Sequence, residues 1–203
     1  MSGLSSLSNA KTLGGVGSIL VLLSAVPSAG AILGIAGFVM ILVAVKYVSD
    51  YFNERKILND MMIVVTLAVV GIVVGSLAIV PTLIGAFLNG YFGGANFAPS
   101  SAVTTAQWVT LGATLGLGLL AAWAFFFASA FFLRRSYNMM GTKLNVSLFG
   151  TAGLIYLIGA ATSIIAAGFL LILIAQIITA VAFFSIPEAP LAKPVVAASV
   201  PST

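Results

Sequence analysis

The chain has no cysteine and no histidine, and among its 203 residues there are only 8 Lys+Arg and 4 Asp+Glu. Without thiols or imidazoles there is no disulfide, no cysteine nucleophile, no Ser-His triad, no thiolate or imidazole site for zinc or copper, and no histidine-ligated haem. Charged residues amount to 6% of the chain and hydrophobic ones to 61%. A soluble domain carries roughly 25% charge, so a water-facing globule cannot be assembled from this composition, which describes a membrane protein.

The charges stand in tight groups separated by three charge-free stretches, 12–45, 61–133 and 144–187, of 34, 73 and 44 residues. One helical crossing needs about 20 apolar residues at about 1.5 Å rise, so each stretch is long enough to fold back on itself. The longest breaks at 89–101, where Gly, Asn, Pro and Ser cluster as turn formers. The last weakens at Gly159-Ala160-Ala161-Thr162-Ser163, and the first at Pro27-Ser28-Ala29-Gly30, whose proline removes a backbone donor. This pattern predicts helices near 9–26, 30–49, 58–88, 104–133, 145–160 and 164–185: an all-α, polytopic bundle of six membrane segments, with two hairpins flanking two long central helices. Residues 1–186 form one transmembrane domain. The tail 187–203 is rich in Pro and Ala and is not expected to fold alone.

An even number of passes places all 8 basic residues on one face, which the tendency of Lys and Arg to stay inside makes cytoplasmic, together with both termini. The opening helix has only 13 uncharged residues from Leu13 to Ala25, about 20 Å. The first hairpin is therefore a short crossing or a re-entrant loop, and either returns to its starting face. Leu13–Val26 followed by Ala29-Gly30-Ala31 resembles a signal-peptide core with a cleavage site. The late basic residue and the apolar stretch that follows at once favour a hairpin.

Small residues recur four apart at Gly30/Gly34, Gly71/Gly75 and Gly112/Gly116, with Gly37 and Gly118 nearby, and in lipid such faces let helix backbones approach. The run from Gly37 to Ala44 aligns with that from Gly168 to Ala175, and Gly14-x-x-Gly17 with Gly150-x-x-Gly153. This suggests a parallel repeat of the first and last hairpins, although apolar Gly-rich helices also align by composition alone. Tyr91, Phe92 and Trp108 fit an interfacial belt, and Phe125–Phe127 with Phe131 and Phe132 fit lipid contact. Trp123 lies eleven residues before Arg134 and, at that depth, needs a partner for its indole N–H.

Within the predicted helices the only ionisable residues, Lys11, Lys46 and Asp60, stand within three residues of a charged end, and none lies at mid-membrane depth, which argues against ion pumps, proton-coupled carriers and voltage sensors. Gln176 is the most polar side chain well inside a helix, and an interhelical hydrogen bond accounts for it better than a solute site does. Segment 46–60 holds three of the four acids, Asp50, Glu54 and Asp60. Lys46/Asp50 and Lys56/Asp60 are spaced as helical ion pairs, and Arg134, Arg135 and Lys143 can pair with the acids or hold anionic headgroups. A catalytic reading of Asp50 and Glu54 is the weaker one, because neither the spaced Asp set of a lipid phosphotransferase nor the Gly-x-Gly-Asp of an intramembrane aspartyl protease is present.

The opening Ala10-Lys-Thr-Leu-Gly-Gly-Val-Gly-Ser-Ile-Leu20, Lys46-Tyr-Val-Ser-Asp50 with Ile57-Leu-Asn59, Gly141-Thr-Lys-Leu-Asn-Val-Ser-Leu-Phe149 through Gly159, and Ala182-Phe-Phe-Ser185 resemble a family of archaeal and bacterial integral membrane proteins classed as a domain of unknown function, number 996. The likeness runs over about 10–186. It implies a prokaryotic cytoplasmic membrane and carries no catalytic residue with it. The expected function is a non-enzymatic accessory or scaffolding subunit, with the lipid bilayer and other membrane subunits or a second copy as partners and no nucleic acid, cofactor or metal. The alternatives are a passive channel or facilitator for a small neutral solute, lined by Gly, Thr, Ser and Gln176, and a membrane enzyme acting at the cytoplasmic loops.

Overall fold

The computed structural model describes residues 2–25, 30–88, 104–165 and 167–187. The central turn 89–103, with Tyr91 and Phe92, the tip of the first hairpin at 26–29, and the tail from 188 onward lie outside the described residues. Within them the chain forms α1 (Ser2–Leu23), α2 (Gly30–Phe52), α3 (Arg55–Leu88), α4 (Thr105–Leu144), α5 (Leu148–Thr162) and α6 (Ala167–Phe184), with a 3-10 turn at Ser163–Ile165. Six helices are long and apolar enough to cross a membrane. Each packs on its neighbours in chain order, and α6 returns to α1, so the six close into a ring whose smallest interface is α2 against α3.

The first four helices overrun the predicted ends at the charged side, while α5 and α6 do not. The spacing of charges predicted that α4 stops near 133, but it continues to Leu144, making it about 60 Å long. A helix needs no hydrocarbon to continue when one stripe is covered, and Leu133, Tyr137, Met140 and Leu144, spaced four, three and four apart, are all buried. Arginines mark where lipid ends and do not terminate the helix. The loop expected between α2 and α3 likewise shrinks to Asn53 and Glu54. Both corners at the charged end turn on an asparagine at positive φ, Asn53 (51°) and Asn145 (55°), a conformation that Asn tolerates better than most L residues. At the other end of α4, Thr104 and Gln107 form a capping box, the Thr104 N–H donating to Gln107 Oε1 at 2.8 Å.

The densest packing sits at the charged end. Leu7, Ile57, Met61, Met140, Leu144, Phe149 and Phe183 are fully buried there. Phe183 meets Phe149 edge-on at 4.9 Å, and Tyr137 meets Phe149 at 5.8 Å. These side chains fill the centre of the ring.

Glycines set the helix crossings, and they do not all do the same work. A Cβ on Gly17 would stand 2.7 Å from the Gly37 carbonyl oxygen, so α1 and α2 cross backbone to backbone. The α5–α6 crossing uses Gly159 and Gly168, each facing the other's carbonyl. Gly37 and Gly168 thus occupy comparable places, as the repeat alignment suggested. Gly153, aligned with Gly17, instead faces Arg134 and Tyr137 on α4. The second half of the aligned motif therefore has a different structural role.

The α3–α4 pair is an antiparallel seam. Ile57, Met61, Val64, Gly71, Gly75 and Ala78 follow helical spacing along α3, facing Ser136, Ser129, Phe125, Ala122 and Gly118 on α4. Ser129 and Ser136 donate to the carbonyls of Val64 and Ile57, both at 3.1 Å. Of the three small-residue pairs read from the sequence, Gly30/Gly34 packs on Ser24 and Gly71/Gly75 on Phe125 and Ala122, whereas Gly112 and Gly116 have no neighbour within 4 Å among the described residues. We expect Gly71→Leu to cost about 1–3 kcal/mol by overpacking, and Gly112→Leu to stay within about 0.5 kcal/mol in monomer unfolding. Reversible unfolding in bicelles reads both, and a large cost at Gly112 would mean that its face is packed within the monomer.

Candidate functional site

The predicted polar residues divide into two places, a charged collar at the turn end and Gln176 within α6. Four of the six collar residues are brought together in pairs. Arg135 on α4 reaches Asp60 on α3, Nε to Oδ2 at 3.1 Å, and Lys143 near the end of α4 reaches Glu54 at the α2–α3 corner, Nζ to Oε2 at 3.5 Å. Both pairs tie α4 to the start of α3 and lie about two turns of α4 apart. Asp50 is exposed, Arg134 is half-buried with its backbone against Gly153, and neither pairs with an opposite charge among the described residues.

The helical pairs expected from spacing, Lys46/Asp50 and Lys56/Asp60, do not form. Asp60 faces into the seam among Ile57, Met61 and Val64 and meets Arg135 there, while Lys56 points away into solvent. Burial decides between the two partners, because the Asp60 side chain is 6% exposed and that of Arg135 is 46%. Removing one member of a fully buried pair costs about 3–5 kcal/mol. Since Arg135 is half solvated, we expect Arg135→Gln to cost about 2 kcal/mol, and Lys143→Gln, from a pair exposed on both sides, at most about 1 kcal/mol. Equal costs in an unfolding titration would show that the Asp60 carboxylate is hydrated after all.

Beside the Glu54–Lys143 pair lies a cleft of about 380 Å³ lined by Glu54, Lys56, Asn138, Met139, Thr142 and Lys143. A second, of about 560 Å³, shares Asn138 and Thr142 and is closed by Gly141, Asn145, Ser147 and Gly150 at the α4–α5 corner. Reading charge alone overlooked Asn138, Thr142 and Ser147. The signal that could have found them is the recurrence of polar side chains at 138, 142, 143, 145 and 147, with Asn145 placed as a left-handed helix cap. In the first cleft Lys56 and Lys143 outnumber the single carboxylate of Glu54, a balance that suits an anionic headgroup. Among the described residues no three acidic, His or Cys side chains converge.

Gln176 lies on α6 with its Oε1 buried and without a hydrogen-bond partner among the described residues. One turn below, Thr179 is buried and faces the Tyr137 hydroxyl. Nearby hydroxyls are satisfied locally: Thr151, Thr162, Ser163 and Thr179 each donate to a carbonyl three or four residues earlier. The indole of Trp123 finds the partner its depth demands, Nε1–H donating to the Ala160 carbonyl at 3.0 Å. Of the phenylalanines read as lipid-facing, Phe127 and Phe131 are exposed, whereas Phe125 packs on Gly71 and Phe132 against the core.

The family model described as protein of unknown function (DUF996) matches residues 33–177, a span that holds the whole collar and Gln176. An uncharacterized protein of Methanocaldococcus jannaschii is 29% identical over 182 residues, covering 90% of this chain and 94% of that protein. No solved structure matches the chain.

Proposed function

Because the chain belongs to the DUF996 family of proteins of unknown function, we propose a role from geometry alone: a non-enzymatic accessory or scaffolding subunit of a larger assembly in a prokaryotic cytoplasmic membrane, with the charged end and both termini in the cytoplasm. The observation that carries this reading is how unevenly the bundle is covered. Its base is closed around Phe149, Phe183 and Met140, while the far ends of α3 and α4 leave Leu77, Leu88, Val109 and Leu117 exposed. There Gly112 is bare, and the helices part over a groove of about 320 Å³ lined by Thr82, Gly85, Gln107, Thr110 and Thr114. In lipid, apolar surface by itself drives no association, and small faces that admit a neighbouring helix do.

Extraction in a mild detergent followed by native mass spectrometry tests the proposal. A stoichiometric partner or a second copy is expected, and Gly112→Leu should weaken its retention. A chain that leaves the membrane alone and monomeric sinks the scaffold reading. The unpartnered oxygen of Gln176 favours a second reading, a facilitator for a small neutral solute, with the ring filled at its base by aromatic side chains as the counter-argument. Solute flux into proteoliposomes that falls on Gln176→Leu would favour it over the scaffold.

A further inference from the structure

The last hairpin stops short of the far membrane surface. The Asp60–Arg135 pair marks the charged boundary, since an ion pair placed deeper would sit in hydrocarbon. From Arg135 to Trp123 is twelve residues of α4, about 18 Å, and Trp123 is hydrogen-bonded to Ala160 in the last turn of α5. A second measure agrees. Gly153 lies against the Arg134 backbone, so twelve residues of chain remain between that level and Ile165, again about 18 Å. Hydrocarbon is about 30 Å thick. Tilting the helices only shortens their projection and draws the tip further from the far side. Meanwhile α4 runs on from Trp123 to Thr105, eighteen residues, about 27 Å.

The tip is built for that depth. Ile164 and Ile165 are 62% and 70% exposed, and no charge lies between 144 and 187. Between the tip and α4 is a groove of about 510 Å³ lined by Leu119, Trp123, Phe126, Ser163, Ile164 and Phe169. Its single side-chain hydroxyl, Ser163, is already committed to the Ala160 carbonyl at 2.9 Å. We infer that α5–α6 is a re-entrant hairpin ending inside the leaflet opposite the charged collar, and that the groove between its tip and α4 seats an acyl chain of a lipid of that leaflet. Depth and lining favour that occupant, because water does not reach this level, the groove is lined mostly by apolar side chains, and the acyl chains of the bilayer surround it.

The absence of native cysteine and the presence of only two tryptophans allow direct tests in nanodiscs, where both faces are open to reagents. Ile165→Cys should react with a membrane-impermeant maleimide at least about tenfold more slowly than Ala106→Cys on the far end of α4, as the cost of bringing an ionised reagent into hydrocarbon requires. Equal rates would overturn the depth assignment. In a Trp108→Phe background, phospholipid brominated in mid-chain should remove most of the Trp123 emission, and Leu119→Phe with Ile164→Phe, which fills the groove, should restore it. Absent quenching, or quenching that the filled groove leaves unchanged, would overturn the acyl-chain seat.

Discussion

Leucine in place of Gly37 is expected to separate the α1–α2 hairpin and to cost about 3 kcal/mol, the upper part of the overpacking range. A Cβ at this position would meet the Gly17 carbonyl oxygen at 2.5 Å and the Val21 nitrogen at 2.7 Å. Both are main-chain atoms, so no side chain can rotate aside, and the helix axes themselves must part. Parting them also withdraws α1 from α6, since Gly14 on the same helix lies under the Phe183 ring. Steric trapping or a denaturing-detergent titration in bicelles reads the loss. Stability unchanged within about 0.5 kcal/mol would mean that the two helices do not cross at these glycines.

Phe149→Ala is expected to destabilise the bundle by about 3–5 kcal/mol, the usual cost of emptying a packed aromatic site. Phe149 is fully buried and holds Phe183 and Tyr137 edge-on. Its location explains why the full cost applies. Phe149 packs beside Gly141, six residues beyond Arg135 towards the charged end, which is about 9 Å outside the ion-pair level. At that height the alternative environment is water and headgroups, so burial is driven by the hydrophobic effect as in a soluble protein. Phe131, exposed within the predicted span, gives the contrast. Its ring exchanges protein for lipid at little gain, and Phe131→Ala should cost less than about 1 kcal/mol. Similar costs for the two would place the base of the bundle inside the hydrocarbon.

Much of the architecture was legible because lipid imposes strong rules on composition. Gaps between charges and the turn formers within them located six helices, and the depth of Trp123 correctly demanded a partner for its indole. Helix ends at the charged side were not legible from charge, because α4 carries its buried stripe through Arg134 and Arg135 to Leu144. Asn53 and Asn145, each directly after a helix, were the better markers of those corners. The collar was found as a set of residues but not as a set of pairs. Spacing placed Lys56 one turn from Asp60, yet whether that carboxylate faces solvent or α4 depends on how α3 rolls on its neighbour.

Membrane residence, the all-helical class, the number of apolar segments and the grouping of charge between them follow from the residues alone, because the cost of ionised groups in hydrocarbon acts on each position separately. Which glycines are covered and which are bare, that Asp60 meets Arg135, and that the last hairpin ends level with Leu119 and Trp123 instead of with Thr105 were decided only in three dimensions. A Gly-x-x-x-Gly reads the same at 71–75 and at 112–116, and only the rotation and height of each helix against its partner assign one to the seam and the other to the surrounding membrane.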